Sequence, residues 1–421
     1  MELIDLNPWW KNGKIEEEYE KGIERPLLKK ILGFKEERQI ISIVGLRRTG
    51  KTTQIHQLIS HLLKTGIGRE NILYYNFDMG TIEIEELLNK FEEETKINLK
   101  ESKTFVFLDE IQKLQGWNNK LKLIYDLNTK IKFFISGSAS LFIEKKTKES
   151  LAGRTFSFQL SPLSFKEFLL FKGFETGSNI NHWKKELGSL FEEYLKIGGF
   201  PELINIKSDE KIKAYIKESI IDRLIYIDIP QVFKIEEPEL LIKIMNIISS
   251  NPGAVLDFNN LADDLGRNRK TIAAYLFYLE KAFLIKKLYN FSPNLLTSEK
   301  KAKKFYPAST AFSYFFEADN SKLTETVPAI FLGADYFYRK HSKEVDFIKI
   351  EKNKELSAFE IKYKEKIKKD EISGLKHFFN KFRKKFKIKL FMITKNEEKE
   401  MKFEGGTIKL IPAWKFFLET S

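Results

Sequence analysis

The chain has 421 residues, 42% of them hydrophobic and 14% aromatic, which suits about two to four domains with cores of their own and excludes a disordered composition. It has no cysteine, which excludes disulfides and thiolate metal centres, and its five histidines show no metal-ligand spacing. No apolar run is long enough for a membrane span and no apolar signal core opens the chain, so a cytoplasmic location without membrane contact is expected; the formal net charge of +13 suits nucleic acid as a partner and equally suits a solubilising surface.

Residues 1–160 alternate apolar strands with helical stretches. The strands Ile40 to Val44, Ile72 to Phe77, Thr104 to Asp109 and Ile131 to Ser136 are nearly continuous in apolar residues, which predicts a parallel sheet covered on both faces. Gly45-Leu46-Arg47-Arg48-Thr49-Gly50-Lys51-Thr52 fits the P-loop pattern completely, with a buried strand before it and a helix from Thr53 to Leu63 after it. Glycines let backbone N–H groups curl around phosphates, and the helix N-terminus adds its positive end. Lys51 is expected on the β- and γ-phosphates of ATP and Thr52 on Mg²⁺. The strand Phe105-Val106-Phe107-Leu108-Asp109 ends in two acids: Asp109 is expected to hold Mg²⁺ and Glu110 to orient the attacking water, the pairing of a hydrolase. At the tip of the next strand, Ser136 and Ser138 are both candidates for sensing the γ-phosphate, and the pattern does not choose between them. Arg154 reads as a transition-state charge stabiliser or as a structural salt-bridge partner.

Arg25-Pro26, the P-loop through Thr53, Leu108-Asp109-Glu110-Ile111-Gln112, Ser136-Gly137-Ser138, Ala152-Gly153-Arg154 and Ser161-Pro162-Leu163-Ser164-Phe165-Lys166-Glu167-Phe168 together resemble the prokaryotic, mostly archaeal, AAA-type ATPase family whose C-terminal region is a domain of unknown function. Gly198-Gly199-Phe200-Pro201 carries the same resemblance. The resemblance spans essentially the whole chain and implies an ATPase core followed by a helical lid, residues 161–235. The expected nucleotide-contacting set is then Arg25, Gly45, Arg47, Arg48, Thr49, Gly50, Lys51, Thr52 and Thr53.

Residues 236–300 read as a winged helix. Asn259 to Leu265 forms a short amphipathic helix, Gly266 takes the turn, and Asn268 caps a second helix from Arg269 to Lys281. Arg267, Arg269 and Lys270 crowd its N-terminal end, where a recognition helix meets DNA, and Lys286, Lys287, Lys300, Lys301, Lys303 and Lys304 follow. A protein-docking module is the other reading of the same layout.

Residues 301–421 read as a restriction-endonuclease-like α/β domain, from the order helix, three strands, helix, strand. Asp346 on one strand, Glu360 and Lys362 sharing a face of the next, and Glu325 on the preceding helix match its four positions, with the three acids expected to bind a divalent metal. The family leads one to expect an Asp near Ser309-Thr310-Ala311-Phe312, where none stands. The fold class expected overall is α/β: an AAA-type P-loop core with a parallel sheet and helical lid, then a winged helix and a nuclease-like domain. DNA is the expected partner, with a homo-oligomer or a protein partner for a nucleotide-controlled switch as the alternative.

Overall fold

The structure is a computed structural model, and it describes residues 2–20, 22–138, 151–175 and 180–420, apart from the side chains of Lys300 and Lys354. The chain divides into two units, Met1–Ser161 with Asp228–Lys234, and Pro162–Ile227 with Ile235–Ser421.

The first unit is built on five parallel strands, β1 (Ile40–Val44), β2 (Ile72–Asn76), β3 (Thr104–Asp109), β4 (Ile131–Gly137) and β5 (Thr155–Gln159), in the order β2-β3-β4-β1-β5. Every residue of β1, β3 and β4 is buried, as strands covered on both faces require. Helix α1 (Lys51–Lys64) leaves the loop after β1. The N-terminal segment covers the edge of β2. Asn7 donates to the Tyr74 carbonyl at 3.1 Å and accepts from its N–H at 2.7 Å, and the indoles of Trp9 and Trp10 donate to the Ile72 carbonyl. This blocks further strand pairing there and fixes Tyr74.

The second unit begins with α2 (Phe165–Phe171) and α3 (Lys184–Ile197). Two of the stretches that carry the family resemblance, Ser161 to Phe168 and Gly198 to Pro201, meet here. Ser164 and Glu167 form a reciprocal capping box, with the Ser164 N–H on Glu167 at 2.8 Å and the Glu167 N–H on Ser164 at 3.3 Å. Leu163 donates to the Gly199 carbonyl at 2.7 Å, and a Cβ on Gly199 would lie 2.3 Å from the Leu163 oxygen, so only glycine fits.

The rest of the unit includes α4 (Pro238–Ser250), β6 (Ala254–Leu256), α5 (Phe258–Asp264), α6 (Arg269–Lys281), β7 (Ile285–Asn290), β8 (Lys303–Pro307), α7 (Thr310–Phe315), α8 (Asn320–Phe331), β9 (Tyr336–Lys340), β10 (Lys343–Ile350), β11 (Glu355–Lys362), α9 (Ser373–Phe382), β12 (Lys387–Thr394), β13 (Lys399–Phe403) and β14 (Gly406–Pro412). One mixed sheet holds all nine strands, in the order β13-β14-β12-β11-β10-β9-β7-β8-β6. The expected border between 300 and 301 is therefore corrected. It falls inside the antiparallel β7–β8 pair, and β7 also pairs with β9 through Tyr289 and Tyr336, so the sheet is continuous across the border. Ser309, where an Asp was expected, caps α7 by accepting from the Ala311 N–H at 3.1 Å and donates to the Gly198 carbonyl at 3.0 Å.

Candidate nucleotide site and acid cluster

The P-loop joins the C-terminal end of β1 to α1. Its two glycines are needed for different reasons. A Cβ on Gly45 would lie 2.3 Å from the Leu160 carbonyl oxygen, whereas Gly50 adopts φ +92. Thr49 closes the loop by donating to the Leu46 carbonyl at 2.9 Å, and Arg25 donates to the Thr49 carbonyl at 3.2 Å. Arg48 is exposed, with φ 64. The Lys51 ammonium bonds the carbonyls of Gly45 and Leu46 at 3.3 and 3.0 Å, across the concavity where phosphate oxygens would lie.

Asp109, fully buried at the end of β3, is the hub of the site. Its Oδ2 accepts from the Thr52 hydroxyl at 2.7 Å and the Tyr74 hydroxyl at 3.2 Å. Its Oδ1 accepts from the Ser136 hydroxyl and from the Glu110 N–H. Thr52 and Asp109 thus present one hydroxyl and one carboxylate side by side, a donor set that fits Mg²⁺. Glu110 sits at φ 52, a left-handed conformation unusual for glutamate and frequent at functional sites. Burial raises its carboxyl above the ordinary value, against the pull of Lys51, whose ammonium is 4.0 Å away, and Gln112 donates to it. Of the two serines, Ser136 touches the acids; Ser138 is buried just past the strand.

Three features were not anticipated. Arg47 makes a bidentate pair with Asp228, at 2.6 and 3.0 Å, which raises its pKa through hydrogen bonding and ties the loop to a segment 181 residues away in sequence. Tyr74 anchors Asp109 from β2, its hydroxyl raised by burial and then by Asp109. The Nδ1–H of His56 donates to the Thr52 carbonyl at 3.0 Å, the ring stacks on Tyr19, and burial lowers its pKa. A fourth is a correction. Arg154 precedes β5, beside Ile40 at the start of β1, so it lies at the sheet end opposite the P-loop, and both arms of its guanidinium bond Asp126 at 2.9 Å. Within one chain it is a salt-bridge partner and not a charge stabiliser at the site.

On α6, Asn268 caps the helix by accepting from the Thr271 N–H at 2.8 Å, and Gly266 takes φ +62. Arg269 and Lys270 are exposed on the first turn. Arg267 differs, because its guanidinium is bound to Glu237 ahead of α4, so its charge is already met.

The four residues expected at the C-terminal site do converge, lining one open pocket of about 560 Å³. Asp346 lies beside Glu360, and its Oδ2 accepts from the Ile361 N–H at 3.0 Å. Lys362 pairs with Glu360 at 3.0 Å. The expected metal-ligand set is nevertheless corrected: the Lys304 ammonium stands among the acids, 2.5 Å from Glu344, 3.1 Å from Asp346 and 3.9 Å from Glu325. Among the described residues, no three His, Cys, Asp or Glu side chains are grouped as a metal ion would need. The residues do not fit a divalent ion. Burial opposes the charge on Lys304, but Asp346, Glu325 and Glu344 raise its pKa above the ordinary lysine value. Burial and then Asp346 push Glu360 up to about 7. Glu344 was within reach of the sequence, since it shares a face of β10 with Asp346 two residues on. Lys304 read as one more lysine of a basic run.

The parallel five-stranded sheet, the loop after β1 and the acids after β3 define an AAA-type P-loop ATPase domain. Residues 37–169 match the AAA domain family, and residues 188–315 and 332–416 match two families described as domains of unknown function, DUF8612 and DUF4143. The chain belongs to the family of the uncharacterized protein MJ1544 of Methanocaldococcus jannaschii, with which it is 30% identical over 396 residues, 89% of this chain and 87% of that protein. An uncharacterized protein of Haemophilus influenzae is 30% identical over 270 residues, and there the chain covers 64% of the relative's length, less than two thirds. Among solved structures, the Walker-type ATPase PABY2304 of Pyrococcus abyssi aligns with a TM-score of 0.41 at 16% identity, covering 70% of this chain and 96% of that one. AMPPCP-bound DnaA from Aquifex aeolicus aligns with a TM-score of 0.28 at 15% identity, over 62% and 91%. Among the described residues, no helix is long and apolar enough to cross a membrane.

Proposed function

We infer that this protein is a Mg²⁺-dependent ATPase that binds DNA through its C-terminal unit, with nucleotide state altering that contact. The observation that carries the reading is the joining of Thr52, Asp109, Glu110 and Ser136 in one hydrogen-bonded set beside Lys51. Thr52 and Asp109 would hold Mg²⁺, which supplies charge neutralisation of the phosphates. Lys51 would turn from the loop carbonyls to the phosphates. Glu110, close to Lys51 and steadied by Gln112, is placed to orient a water.

The DNA reading is supported by α4, β6, α5, α6 and the β7–β8 pair, which follow one another as in a winged helix, with a capped helix presenting Arg269 and Lys270. Lys303 on β8 adds to this face. Burial lowers its pKa, opposed by the nearby Glu299 carboxylate and helped by the charges of Lys287 and Arg269. Metal-dependent cleavage is not part of the reading, because Lys304 occupies the acid cluster. The test is ATP turnover by the full chain with and without duplex DNA. Turnover that needs Mg²⁺ and rises with DNA is expected. A rate that DNA leaves unchanged, with no measurable DNA affinity at low salt, overturns the DNA half of the reading.

A further inference from the structure

The acid cluster of the second unit is assembled around a lysine with great economy of space. Lys304 has a side-chain exposure of 2%, and β8 is held on one side by β6 and on the other by β7. Tyr306, two residues on along the same face, donates to Glu325 at 2.8 Å. Two glycines let the walls close. A Cβ on Gly253 would lie 2.5 Å from the Glu325 carboxylate and 2.8 Å from the Tyr306 hydroxyl, and one on Gly374 would lie 1.9 Å from the Glu344 carbonyl oxygen. Both oxygens of Asp346 are engaged, Oδ1 by Lys304 and Oδ2 by the Ile361 N–H. A divalent ion bound by Asp346 would have to share a buried position with an ammonium or expel it, and both are strongly unfavourable in a low-dielectric site.

We propose that the Lys304 ammonium is the resident cation of this cluster, standing in the place of a divalent metal among Glu325, Glu344 and Asp346, so that the domain keeps the acids of a nuclease-like site and takes up no metal there. The lysine is part of strand β8, whereas Glu344 and Asp346 belong to β10 and Glu325 to α8. The same charge therefore fastens the β7–β8 hairpin to the half of the sheet that carries the acids. A free ion would do this only while bound, whereas the lysine does it at any metal concentration. Among the described residues, Oε2 of Glu360 is buried without a hydrogen-bond partner, 3.1 Å from where a Cβ on Gly374 would lie, while Oε1 pairs with Lys362 at 3.0 Å.

The test is a Mn²⁺ titration of the nucleotide-free full chain, followed by electron paramagnetic resonance, for the parent, Asp346→Asn, Lys304→Met and the double variant. The parent and Asp346→Asn should bind alike. Lys304→Met should gain about one Mn²⁺ per chain, lost again in the double variant, because the vacated position is then lined by acids alone. A Mn²⁺ ion bound by the parent and lost in Asp346→Asn overturns the proposal, and so does a folded Lys304→Met that gains no ion. If Lys304→Met does not fold by itself, its refolding decides the matter. Recovery with Mn²⁺ and not without it supports the proposal, and no recovery with Mn²⁺ overturns it.

Discussion

Asp109 and Asp346 both close a strand-borne acid site with a lysine nearby, and the two sites treat their charge in opposite ways. Around Asp109 the donors are the hydroxyls of Thr52, Tyr74 and Ser136 and one backbone N–H, all neutral, while Lys51 rests on loop carbonyls. The negative charge is held in position and left uncancelled, as a site for a nucleotide-bound cation requires. Around Asp346 the donors are one backbone N–H and an ammonium that belongs to the chain. The same residue types therefore yield a site open to a cation in one unit and a site already filled in the other. What decides is whether the lysine reaches carbonyls or carboxylates.

The largest effect is expected from removing each lysine in turn. Lys304→Ala should lower the unfolding free energy by about 3–5 kcal/mol, because it leaves buried carboxylates without their partner. Lys51→Ala should leave stability nearly unchanged and weaken ATP binding. Urea unfolding and ATP titration of both variants check this; equal stability losses would end the distinction.

A smaller effect concerns proton binding. The Glu360 carboxyl is pushed up to about 7 in the folded chain from an ordinary 4.5. The folded state therefore holds this proton more tightly, and the stability it confers is complete below about pH 4.5 and lost as pH rises through about 7. Glu360→Gln should remove that loss, so parent and variant should diverge between these values in thermal unfolding followed against pH. The lowered His56 and His377 slope the other way in both proteins and cancel in the difference. Parallel curves would show that Glu360 is not the titrating group.

The smallest change is expected from charge reversal at Arg269 and Lys270. It should weaken DNA binding across sequences and reduce the slope of log affinity against log salt by about 2, with ATP turnover in the absence of DNA unchanged. An unaltered slope would remove this helix from the contact surface.

How far the sequence discloses these sites follows from how local each one is. The P-loop, β3 with its acids and the cap of α6 are contiguous stretches, and their residues fall where their motifs place them. Of the two readings of Arg154 the salt bridge holds, and strand direction was enough to choose it: a residue preceding a strand parallel to β1 must lie at the end where β1 begins. Arg47 with Asp228 and Lys304 with Asp346 join positions far apart in the chain, and no periodicity carries such a pairing. The hidden role of Lys304 has a particular cause. It alternates with Lys303 on β8, so one lysine of a basic run faces the acids while its neighbour lies near Arg269 and Lys287.

Whether the first unit's open acid site turns over ATP is decided most directly by steady-state hydrolysis in Mg²⁺ by the full chain, comparing parent, Glu110→Gln and Asp346→Asn. Glu110→Gln should slow by at least about 100-fold with ATP still bound, and Asp346→Asn should hydrolyse ATP at a rate near the parent's. Glu110→Gln working at the parent rate, or Asp346→Asn losing activity while still folded, would contradict that assignment.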